Sequence, residues 1–215
     1  MILKGTRQFL RDNGAYLLVA KLVDSCLGLV RNLMIARKFR VDRINIGSGA
    51  SLRGLSSIEM GEDLSTGKGF WLEAVNSYNG QSFSPRIVIG KHVRIANWTH
   101  IAATHSVQIG DNVLMGSKVV VIDHNHGQYS GMFSSPHTAP DLRPLDQDGK
   151  IFIGSNVWLC DGVVVLPGSS IGEGCVIGAN SVVNGPIPPF TIAAGAPARV
   201  LKAFDFEKKE WIKAQ

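Results

Sequence analysis

Cysteine is scarce in this 215-residue chain: there are three. Cys26, Cys160 and Cys175 have no paired or metal-type spacing, so a disulfide framework and a thiolate zinc site are excluded. Free thiols at such spacing read as a reducing, cytoplasmic compartment. Aromatic residues make up 7% and do not interleave with the basic ones, which argues against nucleic acid as a partner. No long uninterrupted apolar run exists either. The most apolar stretch, Ala15 to Ala36, is broken by Lys21, Asp24, Arg31 and Asn32, a poor candidate for a membrane span. The first residues lack a compact apolar run with a small-residue cleavage site, so no signal peptide is expected. A phosphate loop of the GxxxxGK[ST] kind is missing too.

What the chain does have is a period. From Ile153 to Pro188 a six-residue unit recurs without a slip. Ile153, Leu159, Val165, Ile171, Ile177 and Val183 are aliphatic. Three places later stand Asn156, Gly162, Gly168, Gly174, Asn180 and Pro186. Four places later stand Val157, Val163, Ser169, Cys175, Ser181 and Ile187. A fixed period marks an array of repeats. Gly and Asn enter left-handed backbone conformations cheaply, so each unit predicts one corner. Three short strands and three corners make a triangular coil with the aliphatic positions inside. Coils stacked at the strand spacing of about 4.8 Å make an all-β solenoid. The register extends upstream through Ile46, Leu52 and Ile58, then Ile89, Ile95, Ile101 and Val107. It resumes, two residues out of step, at Ile109, Met115 and Val121.

The domain organisation follows: a basic helical segment over 1–43, the solenoid over 44–203, and a short helical tail over 204–215. Residues 1–43 carry nine Lys or Arg against three Asp; the remainder carries thirteen against fourteen acidic residues. The basic surplus therefore belongs to the first segment alone. Two readings suit it: a helix packed on the open end of the solenoid, or an amphipathic helix making peripheral contact with the anionic inner membrane.

Two stretches break the array, 73–85 and 122–150. The second is a long loop rich in Pro, Gly, His and Ser, and loops of that length are usually functional. It opens with Asp123-His124-Asn125-His126-Gly127. Histidine is the side chain suited to take a proton near neutral pH, and Asp123 can orient one of the rings. Cys160 and Cys175 lie in repeat register and read as packing thiols.

The hexads, the DHNHG loop and the ending Ile192-Ala-Ala-Gly-Ala-Pro-Ala-Arg-Val200 together resemble the hexapeptide-repeat acetyltransferases. Within them the chain is most similar to bacterial O-acetyltransferases of lipopolysaccharide and exopolysaccharide synthesis. The resemblance implies a left-handed parallel β-helix, a homotrimer with active sites between neighbouring solenoids, and acetyl-CoA as co-substrate. It implies acetyl transfer to a sugar hydroxyl with His126 as general base and His124 as the fallback beside Asp123. Trp158, Asp161 and Ala179 fall on cofactor-channel positions; Arg199, with Lys202, falls near the CoA phosphates. A Lys usual before the Ile-Pro-Pro stretch is Gly185 here. An acceptor-site Asn falls on Ala96, leaving Asn97 beside it, and Arg143 is a further candidate contact for the acceptor sugar or the cofactor. No metal is expected.

Other functions fit the same repeat. Transfer to an amino sugar or to a small molecule needs a similar cleft. A zinc enzyme of the γ-carbonic-anhydrase kind would use His92, His100 and His105. A purely structural β-helix would use none of these residues.

Overall fold

A computed structural model describes residues 2–129, 134–146 and 149–214, with side chains of part of the first helix left undescribed. The repeat winds as its period requires. Strands take the three faces of a triangular prism in strict rotation, beginning with Ile44–Asn45, Ser51–Arg53 and Ile58–Met60. Among the described residues, the second and third faces each stack six strands, all parallel. The first face holds nine, ending in an antiparallel pair.

The aliphatic position of each hexad and the position four places after it both point inward. Ile153, Leu159, Val165, Ile171, Ile177 and Val183 are fully buried, and so are Val163, Cys175 and Ser181. Burying so many aliphatic side chains at about 25 cal/mol per Å² stabilises the stack coil by coil. The corners are left-handed in the backbone. At the corner between the first and second faces, residues 69, 98, 118, 162 and 180 form one column, all with φ between 56° and 70°. Gly69, Gly162 and Asn180 suit that conformation. Trp98 and Lys118 adopt it too, because the register on either side leaves the chain no other turn; such a residue costs about 1–2 kcal/mol.

The two-residue slip in the repeat falls at Thr104–His105, between the strands His100–Ala103 and Ser106–Ile109. The tight corner between the second and third faces holds both residues. At that same corner the two long interruptions leave the prism, one coil below and one coil above. The first runs from 75 to 85 and carries a hairpin, Ser77–Tyr78 against Gln81–Ser82. Glu73 stays inside the strand Trp71–Ala74.

A single helix, Ile2–Phe39, precedes the coils. Ile35 and Ala36 are buried on the first coil, and Asn32 bonds to Asn45 and to the N–H of Ile46. The helix does not seal the coil's end. A groove of about 930 Å³ lies between them, lined by Leu27, Leu29, Arg31, Ile46, Gly47 and Ser48.

The tail corrects the sequence expectation. Residues 204–214 form no helix. Ala198–Asp205 pairs antiparallel with Thr191–Gly195, and Glu210–Lys213 pairs with Ala198–Asp205. The last coil offers an unpaired strand edge, and the returning chain fills it. Phe190, Phe204, Phe206 and Trp211 then stack edge to face with ring centroids 5.0–5.2 Å apart. Those contacts outweigh the helical propensity of the Glu-Lys-Lys-Glu run.

Candidate active site

The long loop is rooted by a buried carboxylate. Asp123 follows the strand Val120–Ile122 and is 0% exposed. Its Oδ1 accepts from the N–H of Thr104 at 2.8 Å, and Oδ2 from the N–H groups of His105 and Ser106 at 2.9 and 2.7 Å. Thr104 Oγ1 adds a bond of 3.3 Å, and His124 Nδ1 lies 2.9 Å from Oδ1. Burial alone would push this carboxyl up. The bonds from His124 and the corner N–H groups outweigh burial and hold it below its ordinary value. The slip at Thr104–His105 thus turns a row of amide protons toward Asp123.

The two histidines of the loop differ. His124 is largely enclosed, with 11% of its side chain exposed and Nδ1 engaged by Asp123. His126 is exposed. Its backbone is pinned by a bridge to Leu145, and its carbonyl accepts from Tyr129 OH at 2.6 Å. Its ring meets the ring of Tyr78 edge to face, with centroids 5.1 Å apart. Tyr78 belongs to the hairpin of the first interruption, so the two excursions dock on each other. Tyr78 OH reaches the carbonyl of Asp141 at 2.6 Å, and Gln81 exchanges bonds with the backbone of Leu145. The sequence carried a signal for that hairpin, Asn79-Gly80, whose residues both take positive φ.

Arg143 is held inside the loop. Its Nε bonds to the carbonyl of Thr138 at 2.9 Å and its Nη1 to Tyr129 OH at 2.8 Å. Asn97 and Asp161 serve the corner between the first and second faces. Asn97 Oδ1 accepts from the N–H of Lys68 at 2.8 Å, and Asp161 Oδ1 from the N–H of Ser117. The strand registers align Asn97, Asp161 and Ala179 in one column along that edge. Trp158 stands on the outer side of the first face, 48% exposed, next to Leu114 at 46%. Going up the same face, Val176, Ile192 and Lys202 follow in register. Arg199 pairs opposite Ala194 and is exposed.

The candidates therefore fall into two groups. Asp123, His124, His126 and Arg143 belong to the corner between the second and third faces. Trp158, Asp161, Ala179, Arg199, Lys202 and Asn97 belong to the first face and its edge with the second. Within one chain the two groups occupy different corners of the prism. Cys175 is buried, and Cys160 is half-buried. Burial, then the Asp161 carboxylate, pushes the Cys160 thiol up, away from a nucleophilic thiolate.

His92, His100 and His105 do not converge. His92 sits at the corner between the third and first faces, with Nδ1 3.2 Å from Asp63. Arg94, then His92, holds the Asp63 carboxyl well below its ordinary value. His100 lies flat against Trp71, with centroids 4.1 Å apart and planes 16° from parallel. Among the described residues, no three His, Cys, Asp or Glu approach closely enough to hold a metal ion. Sequence reasoning missed Tyr78, Thr104 and the Trp71–His100 stack, because each acts through a neighbour on another coil.

The molecule is thus a hexad-repeat β-helix with an exposed imidazole on a docked loop. The chain belongs to the hexapeptide-repeat acetyltransferases, and its coil is the left-handed parallel β-helix of that family. The family model "Bacterial transferase hexapeptide (six repeats)" matches residues 150–185. An Escherichia coli (strain K12) protein provisionally named as a lipopolysaccharide biosynthesis O-acetyl transferase, WbbJ, is 40% identical over 86% of this chain and 92% of its own length. Galactoside O-acetyltransferase of the same strain is 32% identical over 67% of this chain and 66% of its own. The crystal structure of AntD, an N-acyltransferase from Bacillus cereus in complex with dTDP and 3-hydroxybutyryl-CoA, superposes with a TM-score of 0.61 at 20% identity. It covers 78% of this chain and 84% of that one, and supports the fold.

Proposed function

We propose that the chain moves an acetyl group from acetyl-CoA to a sugar hydroxyl in the synthesis of a surface polysaccharide. The observation that carries this reading is the exposed His126, pinned at both its backbone and its ring on an otherwise rigid prism. The name of the 40%-identical relative supports the hydroxyl and the polysaccharide.

The residues suit the co-substrate. The strip of Leu114, Trp158, Val176 and Ile192 offers an apolar bed for a long uncharged arm, and Arg199 and Lys202 supply cations for phosphates at its end. Acetyl-CoA supplies the activated thioester carbonyl. His126 accepts the hydroxyl proton as the sugar oxygen attacks that carbonyl, an effect typically worth about 10²–10⁴-fold. The C–S bond breaks, and the same imidazole returns the proton to the leaving thiolate. No covalent acyl-enzyme forms.

Because the His126 corner and the Trp158 face lie apart in one chain, the working site joins two copies. The loop of one chain faces the first face of its neighbour, in a closed threefold ring. A second reading makes His124 the base, favoured by its Nδ1 contact with Asp123.

The test is thiol release from acetyl-CoA by the purified full chain, read against a panel of sugars and amino sugars. Acceptor-dependent release with hydroxyl sugars supports the proposal. Release only with amino sugars moves it to N-acetylation, and no release with any acceptor sinks it.

A further inference from the structure

The N-terminal helix carries an apolar face that the solenoid does not cover. Val19, Leu22, Val23, Leu27, Leu29, Val30, Leu33 and Met34 are each 50–71% exposed. Cys26, in their midst, is exposed too. At 100° per residue, Ala15, Tyr16, Val19, Leu22, Val23, Cys26, Leu27, Leu29, Val30, Leu33 and Met34 fill an arc of about 160°. No charged residue of positions 15–34 falls in that arc. Of the buried or bonded contacts to the first coil, Asn32 and Ile35 come from the opposite side and Ala36 from the margin beside Leu29. So the middle of the apolar face looks away from the prism, while Leu27 and Leu29 at its two margins also line the groove against the first coil.

The spacing within the face is specific. Ala15, Val19, Leu22, Cys26, Leu29 and Leu33 step by 4, 3, 4, 3 and 4. Tyr16, Val19, Val23, Cys26, Val30 and Leu33 step by 3, 4, 3, 4 and 3. Each is a heptad seam of the kind that packs one helix on another. Two overlapping seams on one helix suit contact with two neighbours at once. We infer that residues 15–34 form a parallel three-helix coiled coil with two further copies of this chain. This extends the threefold assembly proposed above, but rests on a different segment.

An anionic membrane surface suits the segment less well. Interfacial helices carry many Lys and Arg opposite the apolar face, with Trp or Phe within it. Between 15 and 34 the basic residues are Lys21 and Arg31, offset by Asp24, and there is no Trp or Phe. Arg31 is turned to the carbonyl of Ile46. The remaining basic residues flank the seam at both ends, where three copies would repel.

Oxidative cross-linking through Cys26 reads the helix alone. In the full chain with Cys160→Ser, mild oxidation or a short bis-maleimide should yield a covalent dimer. Cys26→Ser should abolish that dimer, and Leu22→Asp with Leu29→Asp should reduce it at least tenfold. Salt should strengthen the cross-link by screening the flanking charges. No cross-link at Cys26 overturns the inference. So does salt-sensitive binding to phosphatidylglycerol vesicles that the same Asp substitutions remove while the chain stays un-cross-linked. Cross-linking without acetyl transfer would sink the enzymatic reading and leave the coiled coil standing; transfer without cross-linking would do the reverse.

Discussion

Asp123 Oδ1 lies 2.9 Å from His124 Nδ1, at the point where the loop leaves the prism. The same carboxylate gathers the N–H groups of three successive residues one coil below. One buried charge thus ties the loop root to a corner of the array that carries two extra residues.

Replacing that carboxylate should loosen the root. Asp123→Asn keeps the size but loses the charge-assisted bonds, and should lower stability by about 2–3 kcal/mol. Because folding holds this carboxyl below its ordinary value, its contribution is present above the usual carboxylate range. It disappears as pH falls through the depressed folded value. Denaturant unfolding at neutral pH and at about pH 3 should show the wild type approaching the variant in acid. Equal stability of the two proteins at neutral pH would contradict this role.

The two loop histidines can be separated kinetically. His126→Ala should reduce kcat by at least about 10²-fold with little change in acetyl-CoA affinity. His124→Ala should act mainly through stability. Full activity in the first variant and none in the second would reverse the assignment.

His100 predicts a pH effect of its own. Burial lowers its pKa, with Glu73 offsetting and His124 adding to the shift. The unfolded chain therefore takes a proton, below about pH 6.5, that the folded chain resists. Stability should fall as pH drops below that value, until folded His100 also protonates. Unfolding of His100→Gln at pH 8 and pH 5.5 should show a smaller loss than the wild type. Parallel losses would remove His100 from the explanation.

Arg199→Ala should raise the apparent KM for acetyl-CoA several-fold and leave kcat nearly unchanged. Rising ionic strength should shrink the difference, since an exposed guanidinium is screened. Steady-state kinetics at low and high salt would show it, and an unchanged KM would exclude a phosphate role.

Much of this architecture is legible in the sequence, and the reasons are local. Ile153 and its successors at six-residue steps state the coil, because each buries its side chain within its own turn. The helix was legible in the apolar stretch of Ala15 to Ala36. The tail was not, because the strand Ala198–Asp205 forms only where Thr191–Gly195 offers a free edge. The Asp123-His124-Asn125-His126 run marked the root of the long loop. Its partners were hidden: Thr104 and Tyr78 lie 19 and 48 residues from Asp123 and His126 along the chain and meet them only through coil stacking. Asn97 and Arg143, read as acceptor contacts from sequence, have side-chain bonds within their own corner and loop.

A mixed assembly tests most directly whether catalysis belongs to a cleft between copies. Subunits bearing His126→Ala and subunits bearing Trp158→Ala, each nearly inactive alone, are unfolded, combined in equal amounts and refolded. If each site takes its imidazole from one chain and its indole from the next, random threefold mixing restores about a quarter of wild-type activity. Activity no higher than that of the separate variants would place both side chains in one chain's site, or neither in any, and would contradict the account.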